Sequence, residues 1–378
     1  TKQHFEQVTS RPYDLVIVDE AHHLKNRTTR NWKLVNALQK SFLLLLSATP
    51  VQNKLEELYN VITLLKPGHL STVKAFKEQF VARGNPTDPR NRETLRQLLK
   101  EVMIRNTRAA TQVKLPPRFA STVRVSPSPA EKEFYDQVQG LVLEQSRNGG
   151  SQGLSKMALR RLLQAAGSSP LAARQSLQRV QDHVQVQLQQ DLQTLIEMGG
   201  RIRISSKMKR IVELIRATSE QMVIFFNSSP SLETLDQWLT EQNFEHVTLK
   251  GGLSKEHKRR VLETFEQGCP LLLSMDSGGE GHNLQFCRIL VNYDLPWNPM
   301  QIEQRIGRVH RIGQEREVYI YNFCAQGSLE DSILEVLDKK INMFELVIGE
   351  MEMILGRMQG EQEFSDLVYE LWTSHQEE

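Results

Sequence analysis

The sequence predicts an α/β protein: two units of parallel sheet separated by a helical middle section and followed by a helical tail. Three observations carry that prediction. Short continuous apolar runs, among them Tyr13 to Val18, Phe42 to Leu46 and Met222 to Phe226, suit strands buried on both faces of a parallel sheet. These runs alternate with segments of helical periodicity, which is the α/β order. The alternation lapses between about residues 85 and 205 and resumes at Lys207.

In the first unit, Tyr13 to Val18 and Phe42 to Leu46 read as strands, with a helix over Arg30 to Lys40 between them. A second helix runs from Lys54 to Leu65 and stops at Pro67-Gly68. In the middle section, Glu93 to Val102 and Pro129 to Gln145 read as helices and Phe119 to Val125 as a strand. The glutamine-rich stretch Gln175 to Gln193 carries Leu177, Val180, Val184, Leu188 and Leu192 at near-helical spacing, so a helical insertion packed on a domain is expected. Beyond it, Met208 to Arg216, Leu232 to Glu241 and Lys255 to Glu266 read as helices. They alternate with strands at Met222 to Phe226, Val247 to Leu249, Leu271 to Leu273, Ile289 to Val291 and Tyr319 to Phe323. A long helix over Leu329 to Leu355 closes the pattern.

The 378 residues are enough for two domains, and 39% apolar with 24% charged residues is globular composition. A net charge of +2 excludes a basic tail protein, so nucleic-acid binding would rest on local clusters. The three cysteines, Cys269, Cys287 and Cys324, fit no disulfide framework or zinc spacing and suggest buried thiols in a reducing, cytoplasmic setting. No segment has membrane-spanning length, and no membrane partner is expected.

Four motifs carry chemistry. Asp19-Glu20-Ala21-His22 sits at the carboxyl end of the first strand, where open parallel sheets bind ligands. One carboxylate can hold Mg²⁺ and the other can orient an attacking water. A polar strand end is the plain reading of an isolated Asp-Glu pair; the apolar strand before it and Ala-His after it favour the chemistry. Ser47-Ala48-Thr49-Pro50 ends the next strand, where the hydroxyls of Ser47 and Thr49 can relay the state of the acidic pair. Ser274 to Leu284 is a glycine-rich turn after a strand, and Gly279, Glu280 and Gly281 are candidate nucleotide contacts. Finally, Asn298-Pro299 starts a helix well, and at about 100° per residue Gln301, Gln304, Arg308 and Arg311 share one arc of it. Arginines on such an arc suit phosphate and the charge that develops in phosphoryl transfer.

Together these motifs resemble those of the helicase-like ATPases of superfamily two, and within them the Swi/Snf-type double-stranded DNA translocases. Asp19 to His22 looks like motif II, a DEAH-like box; Ser47 to Pro50 looks like motif III and Val223 to Asn227 like motif IV. Ser274 to Leu284 looks like motif V and Gln301 to Gln314 like motif VI. Smaller matches are Arg105 to Arg108, Ser206-Lys207-Met208 and Lys250-Gly251-Gly252, so the resemblance covers nearly the whole chain. The segments Phe344 to Val347 and Met353 to Leu355 look like a bacterial or phage branch.

The resemblance implies two RecA-like domains, the first incomplete, with ATP and Mg²⁺ as cofactors and double-stranded DNA as partner. It divides the chain into 1–110, the carboxyl-terminal part of domain 1; 111–205, linker and insertion; 206–330, domain 2; and 331–378, the tail. Asp19 and Glu20 would serve Mg²⁺ and water activation, Arg308 and Arg311 would be arginine fingers, and Gln304 would couple nucleotide state to closure. Asn227 and the backbone around Lys250, Gly251 and Ser274 would track DNA phosphates, largely without regard to sequence.

Two departures qualify the match. The sequence holds no Gly-Lys dipeptide and hence no phosphate loop of the Gly-x-x-x-x-Gly-Lys-Ser/Thr type. The expectation is a carboxyl-terminal portion of a larger translocase, partnered by the missing amino-terminal part of domain 1 and inactive as an ATPase by itself. Met275 and His282 also stand where the family usually has threonine and leucine or arginine. A non-catalytic nucleic-acid-binding or interaction module and an RNA polymerase-remodelling ATPase are the alternative readings. Restriction or phage defence, repair and transcription all use such an engine through partner proteins that the sequence does not name.

Overall fold

The computed structural model describes residues 2–47, 55–82, 85–104, 115–147, 154–181, 184, 186–276, 283–296, 299–331 and 334. Its contacts divide the chain into two compact units, Thr1–Gln112 and Val113–Phe344, with the remaining tail outside the described residues.

The first unit opens with helix α1 (Lys2–Thr9) and strand β1 (Pro12–Val18), followed by a 3-10 turn at Ala21–Leu24. Helix α2 (Arg30–Ala37) begins where the Thr29 side chain accepts a hydrogen bond from the Trp32 amide, satisfying one of the orphan donors of the first turn. Strand β2 (Gln39–Leu45) then pairs parallel with β1, Leu15 opposite Phe42 and Ile17 opposite Leu44. Helices α3 (Leu55–Leu65) and α4 (Val73–Phe80), the short antiparallel pair β3 (Val81–Ala82) and β4 (Asn85–Pro89), and α5 (Arg92–Lys100) complete the unit. Tyr59, Ile62, Phe76, Phe80 and Leu95 form a core around α3 and α4.

The expectation that β1 and β2 are buried on both faces is corrected. Leu24, Val35 and Leu64 pack with the side of the pair that carries Val18, Leu43 and Leu45. On the other side Ile17 is 56% exposed and Phe42 71% exposed. Alternate residues of a strand point to opposite faces, and among the described residues only one face of this two-stranded sheet is covered. The strand also starts earlier than expected: α2 ends at Ala37, and Gln39 and Lys40 belong to β2 rather than to a helix.

The second unit is built on a six-stranded, all-parallel sheet. Strand β5 (Arg118–Val125) precedes four helices, α6 (Pro129–Arg147), α7 (Lys156–Ser168), α8 (Pro170–Gln181) and α9 (Val186–Arg201). There follow α10 (Ser206–Ala217), β6 (Met222–Phe226), α11 (Ser229–Glu241), β7 (Val247–Leu249), α12 (Lys255–Glu266) and β8 (Leu271–Met275). Strand β9 (Ile289–Asn292), helix α13 (Pro299–Val309) and strand β10 (Val318–Ala325) complete the order β5-β10-β9-β6-β8-β7 across the sheet.

All five residues of β6 are buried, and they alternate between two cores. Met222, Ile224 and Phe226 pack with Ile211 of α10 and Leu235 of α11, while Val223 and Phe225 pack with Phe265 of α12 and Ile306 of α13. Helices therefore cover both faces, which is why this strand reads as an unbroken apolar run. The glutamine-rich stretch is not one helix: α8 and α9 share it, and α6 to α9 pack on one another. Gly199 allows close approach in this bundle, since a Cβ there would come within 3.0 Å of the Phe134 ring. The insertion is anchored to the sheet unit, with the hydroxyls of Ser168 and Ser169 each 2.7 Å from that of Ser231 in α11.

The expected helix over Leu329 to Leu355 lies mostly outside the described residues, as do Arg105 to Arg108, Thr49, Gly279, Glu280, Gly281, His282, Trp297 and Asn298. Among the described residues, no helix is long and apolar enough to cross a membrane. The three cysteines are free and buried, and burial pushes the thiols of Cys287 and Cys324 up to about 12.

Candidate functional site

In the first unit, backbone bonds bring the acidic box and the start of the serine motif to the same edge of the sheet. Leu46 N donates to Val18 O, and Leu46 O accepts from Ala21 N at 2.8 Å. Asp19 and Glu20 therefore leave β1 beside Ser47, at the carboxyl ends of both strands. Both carboxylates are on the surface, and Asp19 Oδ1 accepts the Glu20 amide at 2.8 Å. Glu20 has φ +51°, a left-handed conformation that is uncommon outside glycine and that turns the chain sharply at the end of the strand.

In the second unit, the strand ends converge on one side chain. Arg305 of α13 is only 2% exposed, and all five of its N–H groups are used. Nε and Nη2 donate to the two carboxylate oxygens of Asp276 at 2.6 and 2.7 Å. Nη1 donates to Asn292 Oδ1 and to the Asp294 carbonyl at 2.8 and 2.9 Å, and Nη2 also reaches Asn227 Oδ1. The guanidinium lies 5.3 Å from the centroid of the Phe225 ring. Asp294 Oδ2 in turn accepts the amides of Asn227 and Ser228, at the start of α11.

Helix α13 starts at Pro299, a residue that needs no donor at that position, and ends at Val309. This corrects the expected single arc. Gln304 is exposed and Arg308 partly exposed on the helix, but Arg311 lies in the turn beyond it. Tertiary contacts end the helix: His310 Nε2 meets the Pro116 carbonyl at 2.8 Å, and Gly313 has φ +101°. Gln314 donates to the carbonyls of Gln285 and Cys287 at 2.8 and 3.1 Å, which closes the turn.

The expected nucleic-acid residues separate into two kinds. Lys250 and Gly251 lie just after β7 at the surface, and Lys250 Nζ is 3.3 Å from Asp236 Oδ2. Burial raises the Asp236 carboxyl, but hydrogen bonds from Thr248 and His246 and the Lys250 charge outweigh it and hold the group below its usual range. Ser274 is 1% exposed inside β8. Asn227 is half-buried, with its Oδ1 committed to Arg305.

Sequence reasoning missed Arg305, Asp276 and Asp294, and also a buried group made by Lys207, Asp294 and Glu330. A cavity of about 430 Å³ opens beside this group, between α7, α8 and the start of α11, with Arg161 and Arg179 at its wall. Neither Arg308 nor Arg311 lines it.

Residues 1–186 match the SNF2-related domain and residues 206–313 match the helicase conserved C-terminal domain. The chain is 39% identical over 374 residues to "Uncharacterized ATP-dependent helicase YqhH" of Bacillus subtilis (strain 168), covering 97% of this chain and 66% of that protein. It is 26% identical over 346 residues to "Probable chromatin-remodeling complex ATPase chain" of Oryza sativa subsp. japonica, covering 88% of this chain and 29% of that one. Among solved structures, the Sulfolobus solfataricus SWI2/SNF2 ATPase core in complex with dsDNA aligns with 23% identity and a TM-score of 0.42, over 95% of this chain and 73% of that one. The chain thus spans just under two thirds of the bacterial relative and under a third of the rice protein. On the two domain matches and the bacterial relative, this chain belongs to the SNF2-related family of helicase-like ATPases.

Proposed function

We propose that this chain carries catalytic motifs of an ATP-driven translocase on double-stranded DNA. The observation that carries the reading is the placement of motif residues at the carboxyl ends of parallel strands, the ligand edge of an α/β sheet, in both units. The domain division is proposed as 1–110, 111–205, 206–330 and 331–378.

Asp19 and Glu20 supply hard oxygen donors at an exposed strand end. Among the described residues there is no cluster of three or more His, Cys, Asp and Glu side chains suited to a metal. That donor set fits Mg²⁺, which takes one or two carboxylates and fills its remaining positions with water and substrate phosphates. When bound, the ion neutralises charge on those phosphates. Glu20 then serves to orient the attacking water, Arg308 and Arg311 to stabilise developing negative charge, and Gln304 to report the nucleotide state. Ser47 and Thr49 relay that state from the acidic box. Lys250 and Gly251 supply phosphate contacts to the duplex that are independent of sequence and sensitive to salt.

A second reading, a non-catalytic nucleic-acid-binding module, is favoured by the missing Gly-Lys dipeptide. ATP hydrolysis by the full-length gene product with and without duplex DNA separates the two. Turnover stimulated by DNA supports the translocase, and DNA binding without turnover supports the module. The 378-residue chain alone is expected to bind duplex DNA and hydrolyse little ATP.

A further inference from the structure

Helix α13 carries two arginines, Arg305 and Arg308, and Arg305 is spent entirely on the protein. Arg305 ties α13 to the carboxyl ends of three strands: β6 through Asn227, β8 through Asp276, and β9 through Asn292 and Asp294. No donor of its guanidinium remains for a ligand. The fork on Asp276 is bidentate, with the Arg305 side chain 3% and that of Asp276 33% exposed, and a lysine could not reproduce it because an ammonium is a point charge without planar donors. Gln304 and Arg308 flank Arg305 in sequence on the same helix, and both reach the surface.

The geometry points to Arg305 as a positioning residue, with Asp276 as its obligatory partner, that sets where Gln304 and Arg308 stand relative to the strand ends of the second unit. It does not touch nucleotide. Beside the apolar contacts of Ile302, Ile306 and Val309, the Arg118–Glu303 ion pair at 3.1 Å and the bond from Leu284 N to Arg308 O at 3.0 Å also hold the helix. The five directed bonds of Arg305 add the ties that fix it on the ends of three strands. The inference rests on the proposed ATP turnover for its kinetic consequence, but not for its structural one.

The test uses the full-length gene product with Arg305→Lys, Asp276→Asn and the double variant. Hydrogen exchange is followed in peptides covering 222–228, 271–276 and 289–296, alongside ATP turnover at saturating duplex DNA. Positioning predicts that exchange at these strand ends rises by about tenfold or more, with helix α9 unchanged. It also predicts that kcat falls by roughly 10- to 100-fold while KM for ATP moves less than about threefold, since substrate is not contacted. The double variant should be no worse than either single one, because both break the same fork. Unchanged exchange at the strand ends, a loss confined to KM, or multiplying losses in the double variant would each overturn the assignment. If the parent protein hydrolyses no ATP, the proposed function fails, and the exchange pattern with its coupling between the two substitutions still decides the role of Arg305.

Discussion

Lys207 Nζ lies 2.7 Å from Glu330 Oε2, with the two side chains 3% and 6% exposed. Lys207 stands in the first turn of α10 and Glu330 just after β10, so one shielded ion pair joins the start of the second α/β run to its end. The ammonium also donates to the Gly167 carbonyl at 3.1 Å, lies 3.6 Å from Asp294 Oδ1, and sits 4.5 Å from the Tyr293 ring centroid. Removing it strands two buried carboxylates. Lys207→Met is expected to cost about 3–5 kcal/mol of unfolding free energy in urea at pH 8. A loss under about 1 kcal/mol would show that the pair is dispensable.

Glu330 gives this group a pH dependence of defined sign. Burial raises its carboxyl to about 7 against the opposing pull of Lys207, and Asp294 adds to the rise. An unfolded Glu titrates near about 4.3, so between these values the folded state holds a proton that the unfolded state has released. Stability therefore falls as pH rises through that window and levels off above it. Between pH 5 and pH 8 this group alone should cost about 3 kcal/mol, and Glu330→Gln should remove that slope. Urea midpoints of the two proteins at both pH values measure it, and identical slopes would contradict the assignment.

Glu131 has the opposite sign. Burial raises its carboxyl, but hydrogen bonds from the Ser206 and Ser128 side chains and amides outweigh it and bring it below the usual range. Oε1 accepts the Ser206 amide at 2.7 Å and Oε2 the Ser128 amide at 2.9 Å, so the carboxylate joins the start of α6 to the start of α10. Its stabilisation is present above the unfolded carboxylate range and is lost as pH falls through the depressed folded value. Glu131→Ala should cost about 1–3 kcal/mol at pH 7 and progressively less on acidification. A constant difference down to pH 3 would refute the linkage.

Lys250 tests the nucleic-acid contact separately from the chemistry. Lys250→Ala should weaken binding to duplexes of any sequence and reduce the slope of log affinity against log salt by about 1. Fluorescence anisotropy across a salt series measures this. A salt slope identical to that of the parent would remove Lys250 from the interface.

Much of the second unit could be read directly from the chain because its strands are buried on both faces. Met222 to Phe226 and Val247 to Leu249 have the expected bounds, since an unbroken apolar run is what two covering helix layers require. The same pattern misled at β1 and β2. Leu15, Ile17, Phe42 and Leu44 register a demand for cover, but a run of apolar residues does not say what supplies it. At the candidate site, helical periodicity grouped Gln304 with Arg308 but carried no sign that Arg305 is the buried arginine. Its partner Asp276 is 29 residues away, and nothing local marks the two as a pair. The end of α13 was hidden for the same reason, because the bond from His310 to Pro116 spans 194 residues. Side chains whose partners are set by the sheet order become legible only once that order is known.

The central claim is tested most directly by ATP turnover of the full-length gene product with duplex DNA, comparing the parent with Glu20→Gln and Arg308→Ala. The account predicts that duplex DNA stimulates hydrolysis and that each substitution lowers kcat by about 100-fold or more while duplex binding stays within about threefold. Absence of DNA-stimulated hydrolysis in the parent, or turnover in Glu20→Gln equal to it, would contradict the account.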